Sequence, residues 1–122
     1  MTARTVLTRK WLKQLLHELG TTADEVAATL RAAGIKGSLT DCHDCPGARY
    51  IAVKARALIS AAELVTVTLT ADRAVLGITR AGTNYYREVT AHTPGALEDF
   101  LDSFDGGGYN DLAEEPGEEL SA

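Results

Sequence analysis

The feature that most constrains the fold of this chain is a change in hydrophobic spacing near Ala61. Before Ala61, apolar residues recur every three or four positions, which is the spacing of amphipathic helices. After it, Val65, Val67 and Leu69 alternate with threonines, which is the spacing of a strand with one buried face. Helices followed by strands predict an α+β protein.

The first two helices are bounded by clear signals. Thr8 is placed to cap the first helix, and Gly20 follows its last apolar residue. Thr22 and Glu25 have the spacing of a capping box at the start of the second helix, which stops at Gly34. The loop between them is very short, so we expect the two helices to pair as a hairpin.

A third helix is expected to begin at Cys45-Pro46. Proline is tolerated in the first turn of a helix, and Asp44 is a favourable N-cap. Small residues then share one face of this helix, which would let another element approach closely. These residues are Cys45, Ala48, Ala52 and Ala55, followed by Ile59.

The second half of the chain predicts a small antiparallel β-meander and one more helix. Turn residues separate the first strand from a second strand at about 74–79 and a third strand at about 85–90. Thr93-Pro94 is typical of a helix start. The stripe Leu97, Phe100, Leu101 and Phe104 ends at three glycines, after which Tyr109 and Leu112 are expected to fold back onto the core. The predicted order is ααα-βββ-α.

Length and composition favour one domain. The chain has 122 residues, enough for a single core. We expect a globular domain over residues 1–112 and a disordered acidic tail over 113–122, because the tail is rich in glutamate and contains a proline and a glycine. The most apolar stretch, residues 50–69, is interrupted by charged side chains and does not predict a membrane span. A cytoplasmic protein with no membrane partner is expected.

Charge is divided unevenly along the chain. Residues 1–60 carry nine basic and five acidic side chains, whereas residues 95–122 carry nine acids and no base. Such asymmetry is typical either of a binding surface beside an acidic tail or of an ordinary solvated surface. Catalytic signatures such as a phosphate-binding loop or a nucleophile elbow are absent from the sequence. We therefore expect a non-enzymatic interaction or regulatory module that binds another protein.

Cys42-His43-Asp44-Cys45 is the sequence's main candidate for chemistry. Two cysteines at this spacing supply half of a tetrahedral zinc site, with His43 as a further donor. A cysteine at a helix N-terminus can instead be redox active, since the helix amides stabilise a thiolate. The simpler interpretation is structural, with Cys45 packed as a small hydrophobic residue. A zinc- or thiol-dependent protein remains an alternative, and zinc is the cofactor that these residues would suit.

Nucleic-acid binding is the other alternative. Three helices followed by a hairpin is the element order of a winged helix, whose third helix enters the major groove. Arg49 and Arg56 would share a face of that helix. Basic side chains of the N-terminal region would reach phosphates, namely Arg4, Arg9, Lys10 and Lys13. The connection before the third helix is longer than a helix-turn-helix turn, and the acidic C-terminal region would repel a duplex.

Three short segments carry a resemblance to a known group. They are Gly34-Ile35-Lys36-Gly37, Cys45-Pro46-Gly47-Ala48-Arg49-Tyr50 and the nine residues from Phe104 to Leu112. Together they resemble small uncharacterised proteins of GC-rich bacteria and their mobile elements, with G-I-x-G, C-P-x-A-x-Y and F-D-x-G-x-Y-x-x-L motifs. The resemblance spans about residues 22–112 and implies no activity. In that group only the cysteine before proline recurs. The group is also expected to have a larger apolar residue at the position of Gly47, so the glycine in this chain predicts a less tightly packed helix start.

Overall fold

The computed structural model describes residues 7–38 and 41–114, and it confirms the predicted α+β order. The elements are α1 (Arg9–Glu18), α2 (Ala23–Ala32), α3 (Pro46–Arg56), β1 (Glu63–Leu69), β2 (Arg73–Arg80), β3 (Tyr86–His92) and α4 (Gly95–Asp105), followed by a 3-10 turn, Asn110–Leu112. Over the described ranges, none of the helices has the length and apolar character needed to cross a membrane.

The three strands form an antiparallel meander with one buried face. β2 lies in the centre, where Leu76 is paired with Val67 of β1 and with Val89 of β3. These side chains are buried in a single core with the apolar faces of the helices. α3 packs against β1 and α1 packs against β3, so the helical layer covers this face of the sheet.

The predicted caps of the first two helices are confirmed. The backbone N–H of Trp11 donates to Thr8 Oγ1 over 3.1 Å, and that of Glu25 donates to Thr22 Oγ1 over 3.1 Å. The return contact of the capping box differs, because the Glu25 carboxylate accepts from the N–H and the hydroxyl of Thr21, each over 2.7 Å. These hydrogen bonds lower the pKa of Glu25.

The prediction that the first two helices pair as a hairpin is wrong. α1 makes its main contacts with β3, whereas α2 makes its main contacts with α4. The sheet offers α1 a broad apolar surface, and α4 offers α2 the fully buried rings of Phe100 and Phe104. Each helix therefore buries its stripe against a larger partner than the other short helix would provide.

α3 begins at the expected position but with a different cap. Cys45 is the N-cap, and its Sγ accepts a hydrogen bond from the N–H of Ala48 over 3.4 Å. The predicted cap, Asp44, instead accepts from the Ser38 hydroxyl and from the guanidinium of Arg49. The guanidinium binds both carboxylate oxygens in a paired geometry, so Asp44 is held by the Arg49 side chain and does not cap the helix.

The start of α4 also differs from the prediction. Pro94 is the N-cap, so it precedes the first turn, and no side chain caps the helix. Thr93 donates its hydroxyl to the backbone carbonyl of Thr70 over 2.7 Å, which ties the start of α4 to the end of β1. The apolar stripe of α4 is buried as predicted, and Leu112 and Tyr109 fold back onto the core, with the Tyr109 ring 5.1 Å from that of Phe100.

Gly37 lies where three distant segments of the chain cross. Its N–H donates to the carbonyl of Leu112 over 2.9 Å, and its carbonyl accepts from the N–H of Glu114 over 2.8 Å. A Cβ at this position would lie 2.6 Å from the Asp44 carbonyl oxygen and closer still to the backbone of Cys45 and Pro46. Backbone contacts thus extend to Glu114, and residues 115–122 of the predicted tail lie outside the described residues.

Gly47 has a packing role that the sequence did not indicate. The prediction of a less tightly packed helix start is wrong, because Gly47 is buried. A Cβ there would lie 2.5 Å from Leu69 Cδ2 and 3.6 Å from Leu97 Cδ1. The missing side chain lets α3 approach the end of β1 and the first turn of α4.

We predict that Gly37→Ala lowers the free energy of unfolding by about 2–4 kcal/mol, because backbone atoms on the facing segment cannot move aside as a flexible side chain can. Gly95→Ala is the control, since no atom lies within 4 Å of its added Cβ, and a change within about 1 kcal/mol is expected. Urea unfolding followed by circular dichroism measures both. Equal stability of Gly37→Ala and the unchanged protein would contradict the close crossing.

Candidate functional site

The turn from Cys42 to Pro46 leads into α3 and lies against the end of β1. The carbonyl of Cys42 accepts a hydrogen bond from the N–H of Leu69 over 2.7 Å, which fixes the turn against the strand. A cleft of about 200 Å³ lies between this turn and α4. We call it the thiol cleft, and its lining includes Cys42, Cys45, Leu69, Leu101, Asp102 and Asp105.

Cys45 has the environment of a structural cysteine. Its side chain is 4% exposed, and burial raises its pKa from 9.0 to about 11, although the backbone amides of Ala48 and Gly47 oppose part of that shift. A reactive thiol needs an accessible thiolate, and this site favours the neutral thiol. Cys45 therefore acts in the fold as a helix cap and a small core residue.

Cys42 and His43 form the exposed half of the motif. Cys42 is half-buried, and its Sγ lies 3.7 Å from His43 Nδ1. The imidazole is exposed and lies 3.8 Å from a carboxylate oxygen of Asp41. Across residues 7–38 and 41–114, no three His, Cys, Asp or Glu side chains come together in a way that could hold a metal ion. The zinc site of Cys42, His43 and Cys45 stays a prediction from the sequence.

Arg49 is held in a network of hydrogen bonds. Its guanidinium donates to both carboxylate oxygens of Asp44, over 2.7 and 2.8 Å, and to both oxygens of Glu114, over 2.8 and 3.2 Å. It also donates to the carbonyl of Lys36 over 3.0 Å. The ion pair lowers the pKa of Asp44 and raises that of Arg49. Arg49 thus fastens α3 to the preceding loop and to the C-terminal segment, and its donors are occupied.

The other basic residues predicted to bind nucleic acid are divided between separate places. Arg56 is exposed at the end of α3, Lys10 is exposed on α1, and Arg4 lies outside the described residues. Arg9 and Lys13 do come together, since both line a cleft of about 450 Å³ between α1 and the sheet. The structure therefore does not bring Arg49 and the α1 cations together.

Three further basic side chains line the cleft that contains Arg9 and Lys13. They are His17 of α1, Arg73 of β2 and His92 of β3. We call these five side chains and the cleft that they line the basic cleft. The sequence separates its members by up to 83 positions, and they become neighbours only when α1 packs beside β3. The four-residue spacing of Arg9, Lys13 and His17 places these three on one side of α1, but no local motif links them to Arg73 and His92.

One face of the sheet is left without a covering helix in the part of the chain that the structure describes. Its outward residues, which we call the open face, are Leu64, Thr66 and Thr68 of β1, Val75, Gly77 and Thr79 of β2, and Tyr86, Glu88 and Thr90 of β3. Leu64, Thr79 and Tyr86 form one cross-strand row. Leu64 is 62% exposed and Tyr86 is 54% exposed, so this row presents apolar surface to solvent.

Tyr86 is held flat across the open face. A Cβ on Gly77 would lie 3.1 Å from the Tyr86 hydroxyl oxygen and 3.3 Å from its ring, so the ring occupies the space above this glycine. The phenol donates to Glu88 Oε2 over 2.6 Å, and this hydrogen bond raises the pKa of Tyr86. The sequence contains a signal for the row, because Leu64 is an apolar residue in the outward phase of β1.

Comparisons of this chain with protein-family models, with curated proteins and with solved structures found no match. The resemblance of residues 22–112 to small proteins of GC-rich bacteria stays a prediction.

We predict that a thiol reagent such as an aromatic disulfide modifies Cys42 rapidly in the folded protein and Cys45 only after unfolding, because Cys45 is buried and protonated. The absorbance of the released thiolate counts the modified residues. Fast modification should vanish in Cys42→Ser and persist in Cys45→Ser. Rapid reaction of two thiols in the folded protein would contradict this assignment.

The raised pKa of Cys45 also predicts that the stability of the fold depends on pH. The folded state binds this proton more tightly than the unfolded chain does, so its stabilising effect is complete below pH 9 and is lost as pH rises towards 11. The unfolding free energy should fall across this range, and it should fall less in Cys45→Ala. An identical fall in both proteins would show that Cys45 does not contribute.

Proposed function

We propose that this chain is a non-enzymatic interaction module that binds another protein through its open face. The observation that carries the proposal is the exposed row of Leu64 and Tyr86 on a sheet whose other face is fully packed. Large apolar side chains are common at the centres of protein interfaces, and tyrosine is among the residues that contribute most to binding.

The open face is organised before a partner arrives. The Tyr86 ring is held by Gly77 beneath it and by the hydrogen bond to Glu88. A side chain that is already fixed loses less conformational entropy on binding. The strands themselves are held in register by the central position of β2. These features support a rigid docking surface.

The chemistry of the open face favours a protein over a nucleic acid. Glu88 is the one charged side chain among its nine outward residues, and the remainder are apolar residues, threonines and a glycine. The basic residues in the same strand phase, Arg73 and His92, form the cross-strand row at the opposite end of the sheet from Leu64 and Tyr86. The apolar row itself therefore offers a phosphate backbone no cation. We infer that the partner presents an apolar patch surrounded by hydrogen-bonding groups, which matches Leu64 and Tyr86 among the threonines.

The winged-helix alternative receives less support from the geometry. Several residues of α3 are buried, including Tyr50, Ile51 and Ala55, and the guanidinium of Arg49 is occupied by Asp44 and Glu114. A recognition helix needs an exposed face with free side chains that reach the base edges. A cytoplasmic location is part of our proposal, since the two cysteines are unpaired.

We predict that Leu64→Lys reduces capture of the partner at least tenfold in a pull-down from nuclease-treated native lysate, because a charge would be buried in the centre of the interface. Val53→Lys is the matched control, since Val53 is 53% exposed but lies on α3. It should capture the same protein as the unchanged chain does. Circular dichroism checks that both variants fold.

Three results would overturn the proposal. The first is equal capture by Leu64→Lys and Val53→Lys, which would place the interface elsewhere. The second is the loss of every captured protein after nuclease treatment, which would indicate nucleic acid as the bridge. The third is self-association of the unchanged protein that Leu64→Lys abolishes in size-exclusion chromatography, which would make a second copy of the chain the occupant of the open face.

A further inference from the structure

The basic cleft gathers cations from separate parts of the chain. Arg9, Lys13 and His17 follow one another at intervals of four residues and therefore share one side of α1. Arg73 and His92 line the same cleft from the sheet. A helix rises about 1.5 Å per residue, so the three α1 side chains are distributed over about 12 Å of its length.

Among the described residues, the permanent cations of the basic cleft have no acidic partner. Within residues 7–38 and 41–114, no carboxylate oxygen lies within 4 Å of the charged nitrogens of Arg9, Lys13 or Arg73. In contrast, Arg31, Arg49 and Arg80 each have a carboxylate partner in that part of the structure.

The net charge of the lining is positive although the chain as a whole is acidic. Asp72 is the one acid among the described residues that line the cleft, so three permanent cations leave a charge of +2 with both histidines neutral. The whole chain has a formal charge of −5. Cations held close together repel one another, and an anionic ligand would relieve that repulsion.

The N-terminus of α4 adds a second source of positive potential. Thr93 and Pro94 line the cleft, and α4 begins at Gly95 without a side-chain cap. Open space lies beside Gly95, where an added Cβ would have no neighbour within 4 Å. The first N–H groups of a helix have no partner within the helix, and they bind anions readily.

We propose that the basic cleft binds a small ligand through a chain of two or three phosphate groups, such as that of a nucleoside diphosphate or triphosphate. Arginine guanidinium groups donate paired hydrogen bonds to phosphate oxygens, and lysine supplies a compact charge. The volume of about 450 Å³ suits a small molecule. The length of the α1 row fits several linked phosphates better than a single one. This proposal does not rest on the open face proposed for protein binding, although Thr90 belongs to both surfaces.

The proposal is tested by titrating the isotopically labelled full-length protein with phosphate, pyrophosphate and tripolyphosphate at constant ionic strength, followed by amide chemical shifts. We expect saturable binding that tightens at least tenfold from phosphate to tripolyphosphate, with shifts at Gly95 and Ala96. A nucleoside triphosphate with the same phosphate chain shows whether a nucleoside adds affinity. Binding equal to that of tripolyphosphate assigns the recognition to the phosphates alone, as proposed.

Charge-neutral variants locate the site. Lys13→Gln and Arg73→Gln should each weaken tripolyphosphate binding at least tenfold. Lys10→Gln is the matched control, because Lys10 is exposed on the same helix outside the cleft lining, and it should retain the affinity. Leu64→Lys should also retain the affinity for tripolyphosphate. A failure of the basic-cleft proposal is therefore distinguishable from a failure of the open-face proposal.

Several outcomes would overturn the inference. Absence of saturable binding, or equal losses in Lys10→Gln and Lys13→Gln, would show general attraction of anions rather than a site. A single-stranded decathymidylate tests whether the cleft binds a nucleic-acid backbone instead. If it bound at the basic cleft and tripolyphosphate failed to displace it, the ligand would be a nucleic-acid backbone and the small-ligand assignment would be wrong.

Discussion

The close passage of Gly37 across Cys45 and Pro46 is the constraint on which the arrangement of the chain depends. No side chain fits at this crossing, because a Cβ would collide with backbone atoms on the facing segment. The two backbone hydrogen bonds of Gly37 bring in the C-terminal segment, and Arg49 closes the crossing by binding Asp44, Glu114 and the Lys36 carbonyl. The segments 34–37, 45–50 and 104–112 therefore meet at one structural junction.

This junction has consequences for the surface of the molecule. It seats the start of α3 against the end of β1, while α1 lies beside β3 and α2 lies on α4. The helices pack on one face of the sheet, so no described element covers the open face, and α1 leaves a cleft beside β3. The two candidate binding surfaces adjoin, because Asp72, Arg73 and Thr90 line both the basic cleft and a hollow at one end of the open face. A ligand in the cleft would thus lie near a partner on the sheet.

The sequence predicts those features that depend on neighbouring residues. Alternating valines define β1, Thr8 and Thr22 cap their helices, and the stripe of α4 is buried, because each signal lies within a few positions. Predictions failed where another group competed for the same side-chain atoms, whether a few residues away or far along the chain. Asp44 left the start of α3 for Arg49 and Ser38, and Thr93 bonded to Thr70 rather than capping α4. The basic cleft could not be predicted, since its members come from separate elements, whereas Leu64 was visible as an apolar residue in the outward phase of its strand.

Native-state hydrogen exchange at the amides of Gly37 and Glu114 tests the central claim most directly. These two N–H groups join the loop after α2 to the C-terminal segment, through the carbonyls of Leu112 and Gly37. Our account predicts that both exchange at least about a hundredfold more slowly than free amides, and that they open together with the amide of Leu69, which bonds to Cys42. Exchange of Gly37 and Glu114 at the rate of unprotected amides, with Leu69 still protected, would show that the crossing does not hold these segments together.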